Sequence, residues 1–180
     1  MSSAYKILPH YTYADYLHWE GQWELIEGIP HAMSPAPGLR HQHIAGRLYT
    51  LLSKVLENNT CNCMAFLPLD YKVAEDTVVQ PDILVVCNPE LERKVLEKTP
   101  ALVAEVLSPS TALKDRNSKY LLYEEAGVPY YLIVDTEKSV IELYQQVNDS
   151  YQLQQIDLVQ PYTLEFDGCS VQISFNNIWS

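Results

Sequence analysis

The chain has 180 residues, 47% apolar and 19% charged, with 12 basic and 23 acidic side chains for a formal charge of −11. That length fits one ordinary domain, and the composition is globular, which excludes a disordered chain. The charge excludes bulk coating of nucleic acid or of an anionic membrane, because proteins that do this are usually basic. A local basic patch on an acidic body stays open.

Met1–Lys6 contains no apolar core and no Arg-rich stretch, so no targeting peptide is expected. Apolar runs such as Ile83–Cys87 fall far short of the roughly 20 residues of a membrane span. Cys61, Cys63, Cys87 and Cys169 match no zinc-ligand spacing. Without a secretory context they are expected to be reduced, buried thiols of a cytoplasmic protein.

Thr12, three residues before Asp15, marks the start of a short helix within Tyr11–Trp19. Trp23–Ile26 and Ile29–Met33 read as a hairpin turning at Glu27-Gly28, and Ser34–Gly38 as a loop of breakers. From Leu39 to about Glu57, Ile44, Leu48, Leu51, Leu52 and Val55 recur at helical spacing. Two strands, Cys61–Val73 and Val78–Cys87, follow around an Ala74–Thr77 turn. Glu90–Lys98 is a short helix or an exposed excursion, and Ala101–Leu107 a strand stopped at Ser108-Pro109.

A second helix runs from about Asp115 to Ala126, ended by Gly127 with Pro129 beyond. Strands Tyr130–Val134 and Val140–Tyr144 come next, with Tyr151–Leu158 and Val171–Phe175 as late edge strands. Helices between groups of strands predict an α/β or α+β domain around a mixed sheet. The core spans about residues 11–145, with 146–180 a C-terminal strand extension.

Three charged residues are out of place. Asp82 heads the apolar strand of Ile83–Cys87, and Glu105 interrupts Leu102–Leu107. Charged groups are rarely buried unless paired or on a metal. Lys119 shares a helix side with Asp115, Leu122, Tyr123 and Ala126, so it lies on the edge facing the sheet. Two carboxylates on neighbouring strands can hold a divalent cation, and a nearby ammonium can orient a nucleophile or offset charge building on phosphorus. Each has a structural alternative: Asp82 bonding adjoining backbone, Glu105 facing solvent from an edge strand, and Asp115 with Lys119 as a surface pair.

Pro81-Asp82, an apolar strand with Glu105, and the order of elements resemble the PD-(D/E)XK nuclease superfamily. Glu24–Gly28, Met33–Pro37, His41, Val79–Ile83, Glu105–Thr111, Lys119 through Val128, and Tyr131–Asp135 follow in order. That string resembles the Uma-two family of restriction endonuclease-like proteins from about Tyr11 to Tyr144. The resemblance implies a restriction endonuclease-like core in which Asp82 and Glu105 bind Mg²⁺ or Mn²⁺. Glu24 matches an additional family acid that completes the metal site, and His41 a family histidine that contacts phosphate or relays a proton. The superfamily's usual lysine, two residues after the Glu, is replaced by Leu107, and Lys119 takes the role from the following helix. Asp70 is a further candidate beside Pro81-Asp82, if the Ala74–Thr77 turn sets the register.

From Gly28 through Leu56 there is no acid, and Arg40, Arg47 and Lys54, seven apart, form one basic stripe offset from the apolar one. That stripe is the candidate nucleic-acid contact; a solvated helix face that happens to lack acids is the alternative. The expected function is a Mg²⁺-dependent endonuclease acting on DNA, or on RNA or small phosphoesters at the same site, and working as a homodimer away from membranes. A non-cleaving module that keeps the fold and binds nucleic acid or protein is the rival reading.

Overall fold

A computed structural model of the chain describes residues 9–33, 37–108 and 112–179. Residues 34–36 of the expected loop, 109–111 of the Glu105–Thr111 motif and the N-terminal residues 1–8 lie outside the described residues. A short helix α1 (Tyr13–Tyr16) opens the fold; the Thr12 main-chain N–H and hydroxyl both donate to the Asp15 carboxylate. The hairpin β1 (Trp23–Ile26) and β2 (Ile29–Ala32) turns through Glu27 and Gly28, both with φ positive. Glycine is required at position 28 for a second reason, because a Cβ there would run into the His10 ring.

The long helix α2 (Leu39–Glu57) follows, as its apolar spacing predicts. The two long strands expected next are each cut in two. Cys61–Val73 divides into β3 (Cys63–Phe66) and β4 (Tyr71–Ala74), and Val78–Cys87 into β5 (Thr77–Val79) and β6 (Ile83–Cys87). Pro68 and Pro81 stand in the breaks, where a missing N–H cannot continue a ladder. The pieces belong to different sheets: β2-β1-β5-β4 form one, and β3 and β6 lie at one end of a six-stranded sheet, β10-β9-β8-β7-β6-β3. Pro81-Asp82 is therefore the point where the chain crosses between sheets.

Glu90–Lys98 forms no helix and returns through a parallel bridge between Leu96 and Tyr71. Strand β7 (Leu102–Leu107) pairs antiparallel with β6 and parallel with β8 (Tyr130–Asp135), which makes the sheet mixed. The crossover contains α3 (Ala112–Lys114), a π-helical turn at Asp115–Lys119, and α4 (Tyr120–Glu125), so the second helix is not a uniform α-helix as expected. Strands β9 (Val140–Val147) and β10 (Ser150–Gln154) close the large sheet. The late strands form a separate hairpin, β11 (Tyr162–Phe166) with β12 (Cys169–Ile173), of which β11 has no counterpart in the sequence reading.

Alternation along β7 explains the two cores. Leu102, Ala104 and Val106 face α2 and pack with Ile44, Leu48, Leu52 and Leu56, capped by Leu164, Phe166 and Val171 of the last hairpin. Val103 and Leu107 face the other way, among Tyr123, Val128, Tyr131 and Ile133. Glu105 shares that second face.

The expectation of four reduced thiols is overturned: Cys61 is bonded to Cys169 and Cys63 to Cys87, with no free cysteine. Register is the reason. Antiparallel pairing of β3 with β6 sets Cys63 directly opposite Cys87, and the last hairpin returns Cys169 over the end of α2 beside Cys61. No helix among the described residues is long and apolar enough to cross a membrane.

Candidate active site

Ladder pairing between β6 and β7 ends at Ile83 opposite Ala104, because Pro81 offers no N–H. The next N–H along β7, that of Val106, donates instead to Oδ2 of Asp82 at 2.8 Å. Asp82 thus does bond adjoining backbone, and the same bond holds its carboxylate next to Glu105. His41, in the first turn of α2, lies with Nε2 3.3 Å from the same oxygen. Burial alone would lower the His41 pKa, but the bond to Asp82 and its charge, aided by the Val106 main chain and Asp115, raise it.

Glu105 is buried beneath the π-helical turn. Its Oε1 accepts from the Lys119 ammonium at 2.8 Å and the Tyr123 hydroxyl at 3.0 Å. A π-turn spends an extra residue, so Asp115 and Lys119 both point down at the sheet, and Tyr123 continues the same line one α-turn later. Arg116 points the other way to Glu142 and Asp135, and the Tyr131 hydroxyl donates to the Asp115 carbonyl; both pin the turn to β8 and β9. The alternatives of a solvent-facing Glu105 and a surface Asp115–Lys119 pair are excluded, since all three residues are at most 3% exposed.

Glu24 reaches the cluster from the other sheet. Its Oε1 accepts from Lys119 at 2.8 Å and from the Gln80 main-chain N–H at 3.0 Å, while Oε2 is bound by Lys114. Burial works to raise the Glu24 carboxyl, but Lys119 and Lys114 outweigh it and hold it at about 2. Glu105 goes the opposite way: burial, then the charges of Asp115, Asp82 and Glu24, push it well above the carboxylate range against the pull of Lys119. Lys119 itself, although burial opposes its charge, is raised above the ordinary lysine range by Glu105, Glu24 and Asp115.

The structure thus brings together Glu24, His41, Asp82, Glu105 and Lys119. Asp70 stands one step away, accepting from Gln80 Nε2 at 2.6 Å and the Tyr16 hydroxyl at 3.0 Å, and is linked to Glu24 through Gln80. The basic stripe is partly engaged: the Arg47 guanidinium donates to the Asn177 carbonyl and Arg40 to the Ser139 hydroxyl at 3.4 Å, while Arg40 and Lys54 are exposed. Lys114 and the Tyr123 hydroxyl were missed by the sequence reading. Tyr123 was legible only as an apolar position, and nothing in the spacing of Lys114 sets it apart from a surface lysine.

The donor set suits a hard divalent ion in part. Asp82, just ahead of β6, and Glu105 on β7 supply carboxyl oxygens, and four acidic side chains crowd around two ammonium groups. Yet among the described residues no three Asp, Glu, His or Cys side chains converge as a ready ligand group. The Lys119 ammonium stands between Glu24 and Glu105, so Glu24 does not complete a metal site in this arrangement.

A mixed sheet crossed by α2 on one face and the helical crossover on the other, with these acids at the sheet junction, is a restriction endonuclease-like core. A crystal structure from Anabaena variabilis ATCC 29413, described as "a putative nuclease belonging to DUF820", shares the fold: TM-score 0.67 over 79% of this chain and 83% of that one, at 20% identity. The model of the Uma2 family, described as "Putative restriction endonuclease", matches residues 13–174, and the chain belongs to that family. An uncharacterized protein of Synechocystis sp. is 31% identical over 148 residues, 78% of this chain and 77% of its own length.

Proposed function

We propose that the protein is an endonuclease that hydrolyses phosphodiester bonds of DNA with the help of Mg²⁺ or Mn²⁺ held by Asp82 and Glu105. The observation that carries this reading is the crowding of Glu24, Asp82, Glu105 and Asp115 at the sheet junction with a buried Lys119 among them. A bound divalent ion would supply Lewis-acid charge to phosphoryl oxygens and lower the pKa of water. The chain's own groups do the rest. Lys119 holds a fixed positive charge beside Glu105, placed to offset charge that develops on phosphorus-bound oxygens. His41 orients Asp82 and can hold a proton at Nε2. Arg40 and Lys54 leave two exposed cations on α2 for backbone phosphates, and a site with so few should bind DNA weakly and lose affinity steeply with salt.

The test is nicking of supercoiled plasmid with Mg²⁺ or Mn²⁺, alongside RNA and small phosphodiesters. Cutting by the wild type that is abolished in Asp82→Ala, Glu105→Ala and Lys119→Ala supports the reading; wild-type cutting by Glu105→Ala refutes it. A non-cleaving module is favoured by one observation, the lysines already seated on Glu24 and Glu105. DNA or protein binding that persists with no cleavage of any substrate, and no uptake of Mn²⁺ at millimolar concentration, decides for the module.

A further inference from the structure

Alternation along β1 sends Glu24 to the sheet junction and Trp23 to the opposite side of the hairpin. Register places Pro30, opposite Leu25, on the Trp23 side. There Tyr11, His18, Trp19, Glu20, Trp23 and Pro30 line an open pocket of about 400 Å³. Trp19 is its centre. Its ring meets Tyr11 at 5.4 Å between centroids and 82° between planes, and Trp23 at 5.8 Å and 63°. The rings are held in place by bonds of the protein itself. The Tyr11 main-chain N–H donates to the Gly28 carbonyl and the Trp23 indole N–H to the Glu20 carbonyl, both at 2.8 Å. Tyr16 packs against Trp19 at 5.6 Å, and its own hydroxyl is tied to Asp70. Such preorganisation removes much of the ordering cost of binding.

Charge selects the ligand. No lysine or arginine lines the pocket, and the exposed Glu20 side chain has no hydrogen-bond or ion-pair partner among the described residues. Aromatic faces carry negative potential and attract a cation within about 6 Å of the ring centre. An anion, a phosphate group included, is repelled by the rings and by Glu20. A primary ammonium or a guanidinium brings several N–H donors that ring faces satisfy poorly, whereas a quaternary ammonium brings none and presents methyl groups to the rings. We infer that this pocket binds a quaternary ammonium ion, with its methyl groups against Tyr11, Trp19 and Trp23 and its charge offset by Glu20. The site is separate from the acids at the sheet junction and requires neither a metal nor cleavage.

The experiment is titration calorimetry of the whole chain with choline and with ethanolamine, which has the same skeleton but a primary ammonium. Choline should bind about tenfold more tightly than ethanolamine, and Trp19→Ala should weaken choline binding about tenfold. Glu20→Gln, a substitution on the exposed rim, should weaken it about threefold. Phosphatidylcholine vesicles separate the sources of the ion. Co-sedimentation that Trp19→Ala loses assigns a lipid headgroup, and choline binding with the vesicles left unbound assigns a free solute. The inference is overturned by no binding at about 100 mM choline, by ethanolamine binding as tightly as choline, or by Trp19→Ala and Glu20→Gln both matching the wild type.

Discussion

The Lys119 ammonium stands 2.8 Å from Oε1 of Glu105, and the same group lies 2.8 Å from Oε1 of Glu24. One buried cation thereby ties the six-stranded sheet to the four-stranded one. The contact does structural and chemical work at once, because it gives two buried acidic side chains a charged partner and fixes an ammonium at the sheet junction.

Replacing Lys119 with Met removes that cation and leaves Glu24, Glu105 and Asp115 short of a partner. Loss of one member of a buried ion pair costs about 3–5 kcal/mol. Urea denaturation should show that loss, and the addition of Glu105→Gln should recover part of it. A loss below about 1 kcal/mol would contradict the burial of the pair.

Acid should undo the same junction. The Glu24 carboxyl sits at about 2 in the fold against an ordinary 4.5. A lowered pKa contributes stability that is complete above the unfolded value and lost as pH falls through the folded one, so the loss runs from about pH 4.5 toward 2. Its size is about 3 kcal/mol at 1.36 kcal/mol per unit. Thermal melts across that window should fall steeply in the metal-free wild type and more gently in Glu24→Gln.

Reduction should loosen the C-terminal hairpin. The bond between Cys61 and Cys169 closes a loop of sequence separation 108, and its loss, on the chain-entropy view, costs about 2–5 kcal/mol. Unfolding with and without dithiothreitol measures this; the Cys61→Ser variant should match the reduced protein more closely than the oxidised one. Detection of four free thiols in the purified, unreduced protein would contradict both bridges.

The face of α2 can be checked independently of the site. Leu48 is fully buried against the sheet, so Leu48→Ala should destabilise by about 2–5 kcal/mol in chemical denaturation. Leu39 on the same helix is exposed, and Leu39→Ala should be nearly silent.

What could be read from the chain was whatever depends on local pattern. The apolar spacing of Ile44, Leu48 and Leu52 marked α2, the Glu27-Gly28 turn marked the first hairpin, and a charged residue inside an apolar run marked Asp82 and Glu105. Lys119 was legible because its neighbours Tyr123 and Ala126 showed which side of the helix faces the sheet. The π-turn was not legible in local spacing; it is held by Arg116 and Tyr131 contacts to β8 and β9, between distant segments.

The opening charge of −11 is similarly divided. Composition by itself determined an acidic, globular chain with its positive charge thinned to a few positions, and motif order determined the family. Only the tertiary structure decided that Arg47 is spent on the Asn177 carbonyl, that four cysteines pair, and that Lys114 and Lys119 both serve Glu24. Local sequence sets which face a side chain takes on its own element. Which charges meet depends on sheet register and on where Pro81 passes the chain from one sheet to the other, and those are set by packing across the whole fold.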